Sequence, residues 1–491
     1  MVLFAATPPS RKATAVALAA LLLAGCAVGP DYVRPSMDLP AAYKETGPWK
    51  TATPQVIDAS QSWWEAYGDS TLSALVVQAN AANQNIRVAE AQYREAQAIA
   101  AAAHAGFFPT VGVDAGAARA QTNSTGVVKR ATTDTLGLAA SWEPDLWGAV
   151  RRSVEAGNAD AQASADDLAA ARLSIQTTLA QDYLQIRVID LQRDLYASTI
   201  AAYAKALDLT QHQYAAGTVL RSDVALAQSQ FKTADAQAVD LEAQRSQLEH
   251  AVAVLTGQAP ASFSLPPLAS SAQTTAASLS STHALHVQLP VTPAGLPSEL
   301  LERRPDIAAA ERRVQAANAN IGVAKAAYYP QIVLSASGGF NAGNLASLFN
   351  TPSRVWSLGA ALAQTVFDGG LRKARTDQAV ATYDASVAQY KQTVLGGFQQ
   401  VEDNLATLRV LDRESALQAE AVQAAQLAER LALSQYRAGT ATYLSVVTAQ
   451  QLSLTNQRTA AQVLGRQLAA SVSLIAATGG GWTAVQATSG N

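Results

Sequence analysis

The sequence predicts an internally duplicated, mainly α-helical protein that carries a membrane-spanning β-sheet too small to close on itself. Three observations predict it: a repeat at an offset of about 221 residues, two proline-free helical runs of about 70 residues, and a pair of alternating segments ahead of each run.

The repeat is visible within this one chain. Asn85-Ile86 through Gly106-Phe107-Phe108-Pro109 has the layout of Asp306-Ile307 through Ala327-Tyr328-Tyr329-Pro330, with Glu90 falling on Glu311. Leu146-Trp147-Gly148 falls on Asp368-Gly369-Gly370, Gln213-Tyr214-Ala215-Ala216-Gly217-Thr218 on Gln435-Tyr436-Arg437-Ala438-Gly439-Thr440, and Ala227-Gln228 on Ala449-Gln450. Landmarks in one order at one spacing make the chain two copies of one structural unit.

Each copy opens with a helical segment, Asp69 to Ala105 and Ser298 to Ala327. Two strand-like segments follow: Pro109 to Ala120 and Thr135 to Leu146 in the first copy, Pro330 to Gly343 and Val355 to Phe367 in the second. They alternate apolar residues with Gly, Ser and Thr, and each is long enough for the roughly 9–11 residues of a tilted membrane strand. The stretches between them, Gln121 to Asp134 and Asn344 to Arg354, read as loops. Four strands leave unpaired edges, which lipid does not tolerate, so the chain must oligomerise if they span.

The long helical runs are Gly148 to Ala216 and Leu371 to Ala438, without proline and rich in Ala, Gln, Leu and charged residues. At 1.5 Å per residue each is roughly 100 Å long, beyond any ordinary globular domain. Val394, Phe398, Val401, Leu405 and Leu408, and Leu184, Val188, Leu191 and Leu195, follow coiled-coil spacing. Gly217 and Gly439 supply the left-handed turn that ends each run. Returning helices then cover Ser222 to Thr256 and Thr442 to Ala477. With the opening segments they match the long helices in length, so two short helices stacked end to end flank each long one.

At the N terminus, Arg11 and Lys12 precede an apolar run from Ala13 to Leu23 and then Leu23-Ala24-Gly25-Cys26, a secretory signal with a small-residue cleavage site. Cys26 is the only cysteine, so an intrachain disulfide is excluded. The tetrapeptide resembles a bacterial lipoprotein box, which implies a diacylglycerol thioether and an N-acyl group on Cys26, with several chains giving a stable anchor. Ala27 in place of aspartate then implies sorting to the outer membrane. No later run of 18 consecutive apolar residues offers a transmembrane helix.

The formal charge of −3 and the lack of a basic block argue against nucleic acid. The five histidines include His283 and His286 in a linker without nearby cysteine, so no metal site is expected. No phosphate-binding loop or nucleophile motif appears, no catalytic residue is assigned, and no cofactor is expected beyond the lipid on Cys26.

Cys26-Ala27-Val28-Gly29-Pro30-Asp31-Tyr32-Val33-Arg34-Pro35, Ser62-Trp63-Trp64, Arg303-Arg304-Pro305-Asp306-Ile307, Phe367-Asp368-Gly369-Gly370 and the two Tyr-x-x-Gly-Thr turns resemble the TolC-like outer-membrane factor family, in its NodT-type lipoprotein branch. The resemblance covers essentially the whole mature chain. It implies a trimer with a 12-stranded β-barrel and a long periplasmic α-helical barrel, acting as the passive outer-membrane exit duct of a tripartite efflux pump for antibiotics or other toxic small molecules. Implied partners are a periplasmic membrane-fusion adaptor, an inner-membrane efflux transporter and outer-membrane lipid. A type I secretion duct shares this architecture. A periplasmic adaptor lipoprotein should have one hairpin and lipoyl-like modules.

The organisation expected is a signal peptide over 1–25, an extended anchor segment over 26–68, the first repeat over 69–257, an equatorial linker over 258–297, the second repeat over 298–477 and a flexible tail over 478–491. The resemblance places a periplasmic gate at the helix turns, with Tyr214, Asp223, Tyr436 and Arg437 as candidates beside the turn glycines Gly217 and Gly439. Ser445 and Thr448 stand where some family members carry cation-binding aspartates.

Overall fold

The computed structural model describes residues 27–37, 43–45, 62–124, 127–268, 287, 289–290 and 303–480. Cys26, most of the linker and the end of the tail lie outside them. A 3-10 turn at Trp63–Tyr67 precedes α1 (Ser70–Ala82), α2 (Gln84–Ala105), β1 (Thr110–Ser124), β2 (Val127–Trp142), α3 (Ala149–Ala215) and α4 (Arg221–Leu255). The second copy repeats the order as α5 (Pro305–Ala326), β3 (Gln331–Ala342), β4 (Arg354–Ala363), α6 (Leu371–Arg437) and α7 (Tyr443–Ala477).

Two expectations are corrected. The opening helix of the first copy breaks at Asn83, whose Oδ1 accepts from Asn85 N (2.9 Å) and Ile86 N (3.2 Å) while Nδ2 donates to Leu255 O (2.8 Å). One side chain thus starts α2 and satisfies an end carbonyl of α4, a tertiary use of Asn that periodicity does not reveal. The loop expected over Gln121 to Asp134 is instead mostly strand, because β1 and β2 stay paired from Thr110↔Ser141 to Ser124↔Val127. Val127, Val128, Thr132 and Thr133 are good strand formers, and pairing propagates through them. The corresponding stretch of the second copy does leave the sheet, in 3-10 turns at Leu345–Ser347 and Thr351–Ser353.

The chain forms two compact units. Unit 1 comprises the described residues within 27–36, 92–165 and 309–391. Its sheet has the order β1-β2-β3-β4, antiparallel throughout. Register sorts side chains by face. Val111, Val113, Leu136, Leu138, Ile332, Leu334, Phe340, Trp356, Leu358 and Leu362 share one face. The other carries Thr110, Asp114, Thr135, Ser141, Ser335, Ser337, Asn341 and Ser357 with several glycines. The apolar face is open: Val113 is 71% and Leu358 75% exposed. Beneath the sheet, Ala156 and Ala159 of α3 meet Ala316 and Ala319 of α5, the small side chains allowing close approach.

Unit 2 comprises the described residues within 37–91, 166–308 and 392–480. Leu72, Leu179, Tyr183, Leu184, Val188, Leu468, Val472 and Ile475 form its main core. The coiled-coil seams are interior: Leu184, Val188, Leu191 and Leu195, and Val394, Val401, Leu405 and Leu408, are buried. Tyr67 Oη bonds Ser471 Oγ (3.0 Å) and Tyr183 Oη donates to Asp69 Oδ2 (2.5 Å), so buried phenols keep partners. Burial raises both phenol pKa values, that of Tyr183 to about 12. α7 is apolar and long enough to cross a membrane, yet it is mostly buried, which accounts for its composition.

Candidate functional site

The two turns at the ends of the long helices share one geometry, set by glycine. Gly217 (φ 75°) and Gly439 (φ 73°) occupy the left-handed region, and each N–H donates back to the tyrosine carbonyl three residues earlier, Tyr214 O (2.9 Å) and Tyr436 O (3.0 Å). Thr218 N and Thr440 N reach Gln213 O (2.9 Å) and Gln435 O (3.0 Å), closing the end carbonyls.

The return helices begin differently. Asp223 reaches back with Oδ2 to Leu220 N (3.3 Å) and satisfies a free donor at the start of α4. At the start of α7 a Thr442 Oγ1–Ser445 Oγ contact (3.2 Å) replaces that carboxylate. Asp223 is therefore a capping residue whatever else it does.

The turns meet each other within unit 2. Tyr436 Oη donates to Gln213 Oε1 (2.8 Å), and the Tyr436 and Tyr443 rings lie 5.5 Å apart at 58°. Ala227, Tyr443, Val446 and Val447 form a buried apolar cluster beneath them. Burial, helped by the negative charge of Asp223, raises the pKa of both phenols, so they remain donors at neutral pH. Of the four gate candidates, Tyr436 and Asp223 lie within electrostatic range of each other without a direct bond. Tyr214 is 46% exposed, and Arg437 is exposed with no ion pair to any described residue. Sequence reasoning missed Tyr443 and Gln213. Only the seven-residue interval between Tyr436 and Tyr443 across a tight turn hinted at the aromatic pair.

A second constellation was not foreseen. Asp190, 3% exposed, accepts from Arg245 Nε (2.7 Å), Arg187 Nη1 (3.3 Å) and Leu268 N (3.2 Å). Arg187 Nη1 and Arg245 Nη2 also donate to Pro266 O (2.9 Å) and Leu265 O (2.8 Å), and Glu249 pairs with Arg245 (2.9 Å). These charges fasten the chain leaving α4 onto α3 and α4. Among the described residues no group of three His, Cys, Asp or Glu could hold a metal ion, and His283 and His286 lie outside them.

Cys26 also lies outside, but its neighbours are fixed. Val28 N donates to Trp147 O (3.1 Å), and a Cβ on Gly148 would meet Ala27 Cα at 2.8 Å. The start of the described chain therefore sits at the junction of β2 and α3, beside the stacked rings of Trp147 and Tyr329 (4.9 Å).

The outer membrane efflux protein family model matches residues 75–258 and 296–480, one stretch on each copy of the repeat. The pyoverdine export outer membrane protein OpmQ of Pseudomonas aeruginosa is 30% identical, over 96% of this chain and 98% of its own length. The solved outer-membrane channel OprN is 29% identical with a TM-score of 0.81, covering 93% of this chain and 99% of that one. The open state of the MtrE outer membrane channel of Neisseria gonorrhoeae is 26% identical with a TM-score of 0.81, covering 93% and 98%. A duplicated helix–hairpin–helix chain with an open sheet of one apolar and one polar face, matched over both copies, belongs to the outer membrane efflux protein family, whose TolC-like fold it has.

Proposed function

We propose that the chain is one of three identical protomers of a passive outer-membrane exit duct, receiving small molecules such as antibiotics from an inner-membrane efflux transporter through a periplasmic adaptor. The observation that carries this reading is the sheet: one face apolar and open, the other polar, with the outer edges of β1 and β4 unpaired. Lipid requires those edges to pair, and three copies complete twelve strands with the polar face lining the bore. The lipid on Cys26 anchors the protein where Ala27 docks, at the inner end of the sheet. Transport energy comes from the inner-membrane partner. Protein purified from outer membranes should have the mass of three chains and conduct ions in planar bilayers. A monomer without conductance overturns the reading.

The closed state is held at the helix turns. Tyr436 ties the second turn to Gln213 of the first, Asp223 caps α4 beside them, and Tyr214 and Arg437 are exposed, the two candidates for contacts with neighbouring protomers in this reading. A neutral hydrogen bond is worth about 1 kcal/mol, roughly a fivefold shift in the closed-to-open ratio per protomer. Tyr436→Phe combined with Asp223→Ala should therefore raise passive antibiotic leakage several-fold in an intact trimer. Unchanged leakage with normal assembly removes these residues from the gate.

A further inference from the structure

Three arginines stand on the apolar face of the sheet, opposite the face that carries the polar residues. Arg119 of β1 and Arg130 of β2 lie on the apolar face by register, through Arg119↔Thr132 and Gln121↔Arg130, and Arg354 of β4 lies there through Phe340↔Arg354. All three stand toward the hairpin ends of the strands and are exposed: Arg119 and Arg130 lie past Val111, Val113, Leu136 and Leu138, with the single Val128 nearer the hairpin, and Arg354 opens β4 in the row of Phe340 and Leu136. None makes an ion pair with any described residue, and the one polar contact among them is Arg130 Nε to Gln121 Oε1 (2.8 Å). Asp134 is the acidic residue on this face near them.

The helix-side ends of the strands differ. There Arg151 is paired with Asp145 (3.2 Å) and Arg372 with Asp368 (2.5 Å), so the guanidinium charge is neutralised within the chain. The hairpin ends also carry an aromatic belt. Phe340 and Phe349 meet edge to face at 5.4 Å, and Trp356, 77% exposed, sits opposite Gly338 on the same face. Such belts mark the boundary between hydrocarbon and headgroups. An arginine at that belt keeps its stem along apolar surface and its guanidinium in the headgroup layer. There it forms bidentate bonds with phosphate oxygens.

We infer that Arg119, Arg130 and Arg354 form an outer rim, repeated in each protomer, that binds the phosphate groups of phosphorylated glycolipid in the outer leaflet. The inference rests on the reading of the sheet as part of an outer-membrane barrel. Charge complementarity selects this occupant: on the apolar face of the sheet Arg119, Arg130 and Arg354 face a single acidic residue, Asp134, which leaves a net positive rim, and a zwitterionic leaflet offers it no net attraction. The β1–β2 hairpin continues past the apolar band to Ser124 and Val127, carrying Arg119 and Arg130 into that layer.

The test uses detergent-purified full-length trimer, freed of divalent cations with a chelator and titrated with diphosphoryl lipid A or its dephosphorylated form by native mass spectrometry. The wild-type trimer should bind the diphosphoryl form at least about tenfold more tightly. Arg119→Gln/Arg130→Gln/Arg354→Gln should lose that preference, the corresponding lysine variant should keep part of it, and Lys129→Gln, on the polar face, should behave as wild type. Equal binding of the two lipids, full retention by the glutamine variant, or equal loss in Lys129→Gln overturns the inference. Inorganic phosphate displacing the lipid at equal concentration assigns the rim to free anions and also overturns it. Trimer mass and conductance are measured on every variant: their loss in the wild type counts against the duct itself, while loss of lipid preference in a conducting trimer concerns the rim alone.

Discussion

Replacing Asp190 with alanine is expected to destabilise unit 2 by about 3–5 kcal/mol, the range for removing one partner from a buried ion pair. The carboxylate is 3% exposed, and the Arg187 and Arg245 side chains that it serves are only 7% and 10% exposed. Without it the two guanidiniums keep the backbone carbonyls of Leu265 and Pro266, but among the described residues Glu249 is left as the single carboxylate partner, on Arg245 alone. Leu268 N loses its acceptor as well. The midpoint of heat unfolding in detergent should fall by several degrees or more, and protease should cut first after Leu255, where the chain leaves α4. Asp190→Asn should lie between wild type and alanine. Asp190→Ala/Arg245→Ala should cost less than the sum of the single changes, because the second substitution removes a stranded charge. A loss below about 1 kcal/mol for Asp190→Ala would show that water solvates the pair.

The second large effect is expected at Gly29. Residues 27–35 run as a strap along α3 and α5 in unit 1, held by Asn318 Nδ2 to Pro30 O (3.0 Å), Arg152 to Asp31 (2.7 Å), Tyr32 Oη to Glu311 (3.3 Å) and Arg34 to Glu311 (2.8 Å). At the crossing with α5, glycine faces glycine. A Cβ on Gly29 would meet Gly322 Cα at 2.5 Å, and its φ of 116° disfavours any side chain. Backbone strain and overpacking together put Gly29→Ala at about 2–4 kcal/mol. That is enough to free a strap held by a handful of polar contacts. Limited proteolysis should then cut the variant between residues 27 and 36 while the helices stay intact. Gly322→Ala should do the same, since its Cβ would meet Arg152 Cγ at 2.8 Å and Val28 O at 2.9 Å. Gly112→Ala, with open space around it, serves as the neutral control. Equal protease resistance in all three would mean that the strap docks without the glycine crossing.

The boundaries of the long helices were legible to within a residue, because a proline-free run and a left-handed glycine are local signals. Strand positions were legible as a set but not in extent. The β1–β2 hairpin outran its expected loop because pairing with a partner strand, not composition, decides where a strand stops. Asn83 misled for a similar reason: in sequence it is one polar residue in a helical stretch, and only Leu255 O gives its amide a reason to break the helix. At the ends of the long helices, both glycine turns were readable, whereas the bond from Tyr436 to Gln213 was not.

By itself the sequence determined the duplication, the type of nearly every element, the turns that close the long helices, and the insufficiency of four strands, since each follows from local pattern or chain arithmetic. Tertiary structure alone decided which charges are buried together around Asp190, which glycines must meet at Gly29 and Gly322, and which tyrosine faces which glutamine. Those pairings join residues far apart in the chain, and their energies depend on burial and sub-ångström approach, quantities that exist only once the helices have packed.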